Sequence, residues 1–412
     1  MPNPGFGSSQ EVTEQPTTKL HTSSRQFKTV ARLVRERGED VVSRFHPKKP
    51  VIACGIKNEI IFFSAENCSI PFSNWKNNGN KFQIGHEKEI MAIEWNVDGT
   101  QLAAISIFSS EIIVWSYPDG KVLFQKELEK GMDHIEWNPF MPNIFATFPD
   151  DFGTKVFFFN SCPVDQRPFH FCTIEYEKII TSFQWISANR VALGLRGDRR
   201  IEIWEIDESM TSAKIVKRLE YESDYITNVA WDERTKCLAA CYDDGWITIW
   251  SMDSDQPIHT TKVDGECRSL AWRPNRKQTD DEGVDAARKS TDNFILACGF
   301  GQRKIVIWTP LKKKKTRFLI KQHSSVIDWL SFSPDGRFLA SSDVNGKLIS
   351  SISFRSAEDW KPVFIKKKHI RGGRFSKHFS WSSSSSTDVP DYKLTFNSND
   401  GKIRVVEYAE GQ

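Results

Sequence analysis

The side chains that could do covalent or metal chemistry in this sequence do not fall at the spacings such chemistry needs. Nine histidines are scattered singly, and none forms the His-x-x-x-His pair that sets two imidazoles on one helix face to ligate zinc. The eight cysteines include no Cys-x-x-Cys. Cys54, Cys237, Cys241 and Cys298 lie within apolar runs, where buried free thiols are expected. Cys237 and Cys241, four apart in strand-like sequence, would stand about 13 Å from each other and cannot share a metal. No Gly-x-Ser-x-Gly occurs, and the run Ser382 to Ser386 reads as low-complexity loop. There is no phosphate-binding loop, and Gly299 and Gly301 lack the third glycine of a dinucleotide fingerprint and lead into a strand. The acid pairs Asp150-Asp151, Asp243-Asp244 and Asp280-Asp281 fall at expected turns or in an insertion and read as turn caps. The expectation is a protein with no catalytic residue, no metal and no cofactor, whose function lies on its surface.

That surface must be carried by a repeat. A short apolar run ending in an aromatic recurs at Phe45, Trp95, Trp137, Trp185, Trp231, Trp272, Phe332 and, more weakly, Trp381, in steps of 50, 42, 48, 46, 41, 60 and 49. Each is followed by a small-residue run such as QLAAIS or CLAAC, and then by a β-branched run such as EIIVWS, WITIWS or KIVIWT. Asp-Gly turns at Asp98, Asp119, Asp244, Asp335 and Asp400 punctuate the units, and no long stretch has a 3.6-residue period. Three strands per unit, with room for a fourth, at this period predict an all-β fold: a single closed β-propeller of eight four-stranded blades, with seven as the alternative should Arg371 to Tyr408 pack outside. Phe27 to Val34 reads as a strand that supplies the outermost strand of the last blade, so fastening the ring. The expected organisation is a disordered polar tail over 1–26, the propeller over 27–408 with an acidic insertion at 275–293, and a tail over 409–412.

Composition agrees with a globular interior. Lys and Arg number 56 against 53 Asp and Glu, a net charge of +3, and 39% of residues are hydrophobic. Apolar runs such as Phe294 to Cys298 end after five residues, far short of the roughly 20 of a spanning helix, so no membrane contact is expected. The N-terminal 26 residues have no apolar core of the secretory kind, which points to the nucleus or, alternatively, the cytoplasm.

These repeats resemble the WD-repeat family over Phe27 to Tyr408, although the closing dipeptide is never Trp-Asp: it reads Trp115-Ser116, Trp204-Glu205, Trp250-Ser251 and Trp308-Thr309. The family's buried network links a His before the first strand, a Ser in the second, an Asp in the following turn and the Trp of the third. Here the turn Asp is read at Asp198, Asp244 and Asp400 and the His at His86 and His323, so no blade is expected to keep all four, and blades one, three, seven and eight should depart most from ideal geometry. The insertion Asn275 to Asn293, the opening RLVRERGEDVVSRFHP and the Gly372-Gly373 lead into the last unit are similar to the propeller of the transducin-β-like co-repressor exchange factors. That resemblance implies a scaffold in a nuclear co-repressor assembly. The LisH and F-box-like segments of those proteins do not fit in the 26 residues ahead of Phe27, so it implies nothing about oligomerisation or ubiquitin-ligase recruitment.

Two basic clusters stand out: Lys312 to Lys315 with Arg317 and Lys321, and Lys361, Lys366, Lys367, Lys368, Arg371, Arg374 and Lys377. Lys312, Lys313, Lys314 and Lys315 are a candidate nuclear import signal, and the stretches 312–321 and 361–377 are candidates for nucleic-acid contact. The first is expected in the hairpin joining strands three and four of its blade, the second in a blade-to-blade connection on the opposite face. On that opposite face the expected partner-binding residues are Arg196, Arg199, Tyr225, Tyr242, Asp243, Trp246, Phe300, Arg303, Arg371 and Arg374, with Asp150 nearby. Tyr, Trp and Arg are the types enriched at interface hot spots. The expected partners are peptide segments of other proteins in a multi-protein complex, received by a monomeric propeller; RNA processing and cytoplasmic assembly are the alternative settings.

Overall fold

A computed structural model describes residues 25–33, 41–65, 77–83, 89–106, 111–128, 134–149, 153–161, 170–207, 211–274, 294–311, 316–321, 323–345, 348–371, 379–382, 393–398 and 402–410. The strands form eight antiparallel four-stranded sheets. Seven are built from consecutive strands; the fifth blade, for example, runs Ile226–Asp232, Cys237–Tyr242, Trp246–Ser251 and His259–Lys262. The eighth combines Phe379–Trp381, Lys393–Ser398 and Lys402–Glu410 with Arg25–Leu33 as its outermost strand. Arg25 pairs with Glu410 and Leu33 with Ile403, so the N-terminal strand fastens the ring as the sequence predicts, beginning two residues before Phe27.

The core is divided among the contacts between blades. Phe62, Trp95, Leu102 and Trp115 join blades one and two, and Phe45, Ile52, Ile403 and Val405 join blades one and eight across the closure. The recurring aromatic at the end of each first strand has a second use there. Trp137 Nε1 donates to Glu94 O (3.1 Å), Trp185 Nε1 to Glu136 O (3.3 Å) and Trp272 Nε1 to Ala230 O (3.0 Å), each indole tying its blade to the first strand of the preceding one. Below them, the connections between first and second strands form another belt: Asn96 Nδ2 donates to Pro142 O (3.0 Å), Asn138 Nδ2 to Ala188 O (2.8 Å) and Arg273 Nε to Gly336 O (2.8 Å). Each such bond contributes about 1 kcal/mol. A ring with a worn family signature thus adds side-chain bonds between neighbouring blades to the strand ladders within them.

His46 opens that lower belt and gives it a pH dependence. It is buried against Trp95 and Tyr117, donates through Nε2 to Gly99 O (2.9 Å) and accepts at Nδ1 from the Lys48 and Lys49 amides. A proton on Nδ1 would displace both amides. Burial lowers its pKa to about 4. Because the unfolded chain then binds the proton more readily, this residue's stabilisation is whole above pH 6.5, falls as the pH drops from 6.5 and is gone near 4, about 3 kcal/mol in total. Chemical denaturation from pH 7 to 4 should show that loss, and His46→Gln should flatten it; an unchanged slope in the variant would assign the acid sensitivity elsewhere.

Blade seven departs from expectation in an informative way. It holds a buried network of a His, two Ser and a different Asp, without the Trp. His323 Nε2 lies 2.8 Å from Ser341 Oγ and Nδ1 lies 2.9 Å from Ser351 Oγ, while Ser351 Oγ donates to Asp343 Oδ1 at 2.5 Å. The amides of Ser324 and Ser325 donate to Asp343 Oδ2. Burial pushes the Asp343 carboxyl up, but hydrogen bonds from His323 and Ser351 outweigh it and hold the group well below the usual carboxylate range. By register Arg355, opposite Leu339 as Trp250 is opposite Leu238, takes the place of the Trp, while Ser351, opposite Asp343, supplies the donor to the acid.

The buried thiols fall where the sequence places them: Cys54, Cys237, Cys241 and Cys298, with Cys172 and Cys267, are buried and outside any disulfide. The Asn275 to Asn293 insertion and Lys312 to Lys315 lie outside the described residues, although the strands flanking the latter, Lys304–Thr309 and Thr316–Lys321, do form the expected hairpin pair. From Lys361 to Arg371 the second basic cluster is not a blade-to-blade connection, while Arg374 and Lys377 lie outside the described residues. Pro362–Arg371 is the outermost strand of blade seven, paired along Leu348–Ser356, so Lys366, Lys367, Lys368 and Arg371 lie on an edge strand. A lysine-rich edge strand discourages pairing with other chains. Lys361, just ahead of it, sits at the turn between third and fourth strands, the same end of the ring at which Lys304–Thr309 finishes and Thr316–Lys321 begins.

Candidate interaction surface

The connections between blades and the turns between second and third strands share one face, and it is described most fully over blades four to six. The connection 221–225 carries Tyr225, whose hydroxyl donates to Asp243 Oδ1 (3.1 Å) and whose amide donates to Asp224 (2.8 Å), while Asp243 N returns a bond to Tyr225 O (3.1 Å). Burial and the Asp243 carboxylate raise the Tyr225 phenol pKa, so it stays a neutral donor. One step outward, Ser223 Oγ and Lys262 Nζ both donate to Asp244 (2.5 and 3.1 Å). Burial would raise Asp244, yet those two partners hold it low. Trp246 is half-buried, edge-on to Tyr221 at 5.3 Å with Lys262 Nζ over its ring. Connection and turn are thus stapled together before any partner arrives, which lowers the ordering cost of binding.

Blade four brings Arg196 and Arg199, both exposed, on a turn whose Gly197 has φ +71°. Asp198 between them is buried; Arg200 and then Lys178 hold its carboxyl far below the ordinary range, and its carbonyl accepts from Ile226 N (3.2 Å), fixing the turn to blade five. On blade six, Gly301 N donates to Glu266 O (2.9 Å), Glu266 pairs with Arg268 (2.8 Å), and Arg303 stands exposed at the turn's end. Arg196, Arg199, Tyr225, Asp243, Trp246 and Arg303 therefore share one continuous face.

Two expected contact residues do not. Tyr242 and Phe300 are both 0% exposed, each ending a second strand that neighbouring blades cover on both sides, Tyr242 among Ile203, Leu238 and Trp250, Phe300 among Cys241, Ile249 and Leu296. They are core. Arg371 ends the edge strand of blade seven, whereas Asp150 and Arg374 lie outside the described residues. Ser223 and Tyr221 were not anticipated; the signal was a polar residue about twenty positions ahead of the turn Asp, the interval that also separates His323 from Asp343. Among the described residues no group of three or more His, Cys, Asp or Glu could hold a metal ion.

The profile of the WD domain, G-beta repeat family matches residues 213–251 and 313–349. The first match starts on the outermost strand of blade four and ends on the third strand of blade five, and the second takes in the outermost strand of blade six and ends on the third strand of blade seven, so a sequence repeat straddles two blades, the same overlap by which Arg25–Leu33 closes the ring. The chain carries WD40 repeats in an eight-bladed propeller. Among solved WD40 structures, the C-terminal WD40 domain of Sif2 superposes with a TM-score of 0.65 at 14% identity, covering 93% of this chain and 98% of that one. Sqt1 of Saccharomyces cerevisiae gives 0.67 at 12%, covering 94% and 100%. Likeness at that identity concerns the fold alone. In sequence, the propeller is similar to Protein HIR1 of Gibberella zeae (22% identity, 74% of this chain, 28% of HIR1) and THO complex subunit 3 of Arabidopsis thaliana (20%, 67% and 65%). It is also similar to protein transport protein sec13 of Emericella nidulans (21%, 54% and 77%). The chain thus spans about a quarter of HIR1 and less than two thirds of THO complex subunit 3.

Proposed function

We propose that this WD40 propeller is a non-enzymatic scaffold that binds peptide segments of partner proteins across the face formed by blades four to six, within a nuclear multi-protein complex. The observation that carries it is the pre-stapled Tyr225–Asp243 and Ser223–Asp244 connection, flanked by the exposed arginines Arg196, Arg199 and Arg303. A relative named as a subunit of the THO complex supports life inside an assembly, and the likeness to the transducin-β-like exchange factors supports a co-repressor or chromatin setting; the similarity to a transport protein favours a cytoplasmic assembly instead. Imaging of the tagged chain with Lys312 to Lys315 exchanged for Glu separates the two settings, loss of nuclear signal supporting the first. The face itself is tested by Arg196→Glu with Arg199→Glu. Both side chains are exposed, so the melting temperature should hold, while capture of native partners should fall about tenfold or more. Undiminished capture would remove this face from the reading.

A second reading rests on the corrected position of the basic clusters. With Lys361 at the end of the ring where the paired strands Lys304–Thr309 and Thr316–Lys321 meet, and four further basic residues along the edge strand of blade seven, direct nucleic-acid contact there predicts affinity that falls steeply with salt. A flat salt response would discard it.

A further inference from the structure

Among the described residues, four other than glycine have a left-handed backbone: Lys57, Lys236, Arg303 and Trp360. For Arg303 the ring supplies its own comparison. In blade five the turn closes with Gly245 N donating to Tyr242 O, and in blade six it closes with Arg303 N donating to Phe300 O, so the two residues are equivalent. Gly245 has φ +87° and a Cβ there would come within 1.9 Å of Val263 O; glycine is what that turn requires. Blade six places an arginine at the same position, at φ 65°. Strain of this kind persists where something other than stability retains the residue. The Arg303 side chain is exposed, and among the described residues its guanidinium meets no hydrogen-bond or ion-pair partner, unlike Arg200 on Asp198 or Arg268 on Glu266. A fold that needed only a turn would have glycine here.

Resting on the reading of this face as a docking surface, we infer that Arg303 is its specificity-determining contact, and that the bound segment is an acidic peptide whose Asp or Glu carboxylate takes the guanidinium fork. The geometry suits this: the side chain is exposed at the turn, and a planar five-donor group with no acceptor among the described residues is matched by a carboxylate.

Lys236 provides the control. It has the same left-handed strain, at φ 52°, but lies on the opposite face, in the connection between the first and second strands of blade five, with only an exposed Glu233 beside it. Arg303→Gly and Lys236→Gly should each raise the melting temperature of the full chain by about 1 to 3 °C through relief of strain. The probe is a display library of random linear peptides panned against the full chain, followed by affinity measurement on the enriched consensus peptide. The expected result is a consensus with a fixed Asp or Glu, bound about tenfold more weakly by Arg303→Gly and unchanged by Lys236→Gly. A consensus without a fixed acid, equal affinity for Arg303→Gly, or equal weakening by both variants overturns the inference. If Arg303→Gly binds normally while Arg196→Glu with Arg199→Glu does not, the docking face stands and only the role of Arg303 falls.

Discussion

Replacing Asp343 with alanine should destabilise the propeller by about 3 to 5 kcal/mol, among the largest effects of any single side chain. The carboxylate is wholly buried and is the common acceptor for Ser351 Oγ, the amides of Ser324 and Ser325 and the Ser324 hydroxyl. Removing it strands several donors in the interior at once, whereas Ser351→Ala removes one donor and should cost about 1 kcal/mol. Because the carboxyl is held below its unfolded pKa, its contribution is fully present above the unfolded carboxylate range and is lost as the pH falls below that range. Asp343→Ala should therefore also remove part of the acid slope at a lower pH than the His46 window. Denaturation in urea at neutral and acid pH measures both. A cost under about 1 kcal/mol for Asp343→Ala would mean the donors find water, and that blade seven does not depend on this network.

The reason that network was not read from the sequence shows where the repeat is legible. The expected Asp precedes a glycine, as in Asp244-Gly245; in blade seven the glycine follows Asn345, and the working acid is Asp343, two residues earlier. The sequence runs put Ser351 where the Trp is expected, but the strand register puts Arg355 there, and Ser351 instead joins His323 to Asp343, so the network is hidden by two departures from the repeat. Strand pattern, blade number and closure were legible because they depend on side-chain periodicity and β-branched content, which many residues encode together. Contact residues depend on which end of a strand is covered. Tyr242 and Trp246 are four residues apart across one turn, yet the first ends a strand enclosed by two blades and the second begins a strand whose end stays half-open. The stretch Pro362–Arg371 reads as a connection between blades for another reason: lysines lower apparent strand propensity in the place where a sheet edge favours them.

Deleting residues 1–33 should have a still larger effect than any substitution. Arg25–Leu33 pairs with Lys402–Glu410 over eight registered positions, and without it the third strand of blade eight becomes a nine-residue open edge. Loss of about four to eight ladder hydrogen bonds, at about 1 kcal/mol each, removes an amount comparable to the whole stability of an ordinary domain. The damage would not stay in blade eight, because Ile403 and Val405 pack with Phe45 and Ile52 of blade one, so the contact that closes the ring rests on a strand that has lost its outer neighbour. The expected result is loss of a single cooperative thermal transition and association through the exposed edge, seen as higher mass by light scattering. A synthetic peptide of residues 25–33 added in trans should restore part of the transition, which a merely misfolded truncation would not do. A melting temperature within a degree or two of the intact chain would show that seven blades and three strands suffice. The overlap of each sequence repeat across two blades would then be a record of how the repeats arose, with no part in holding the ring shut.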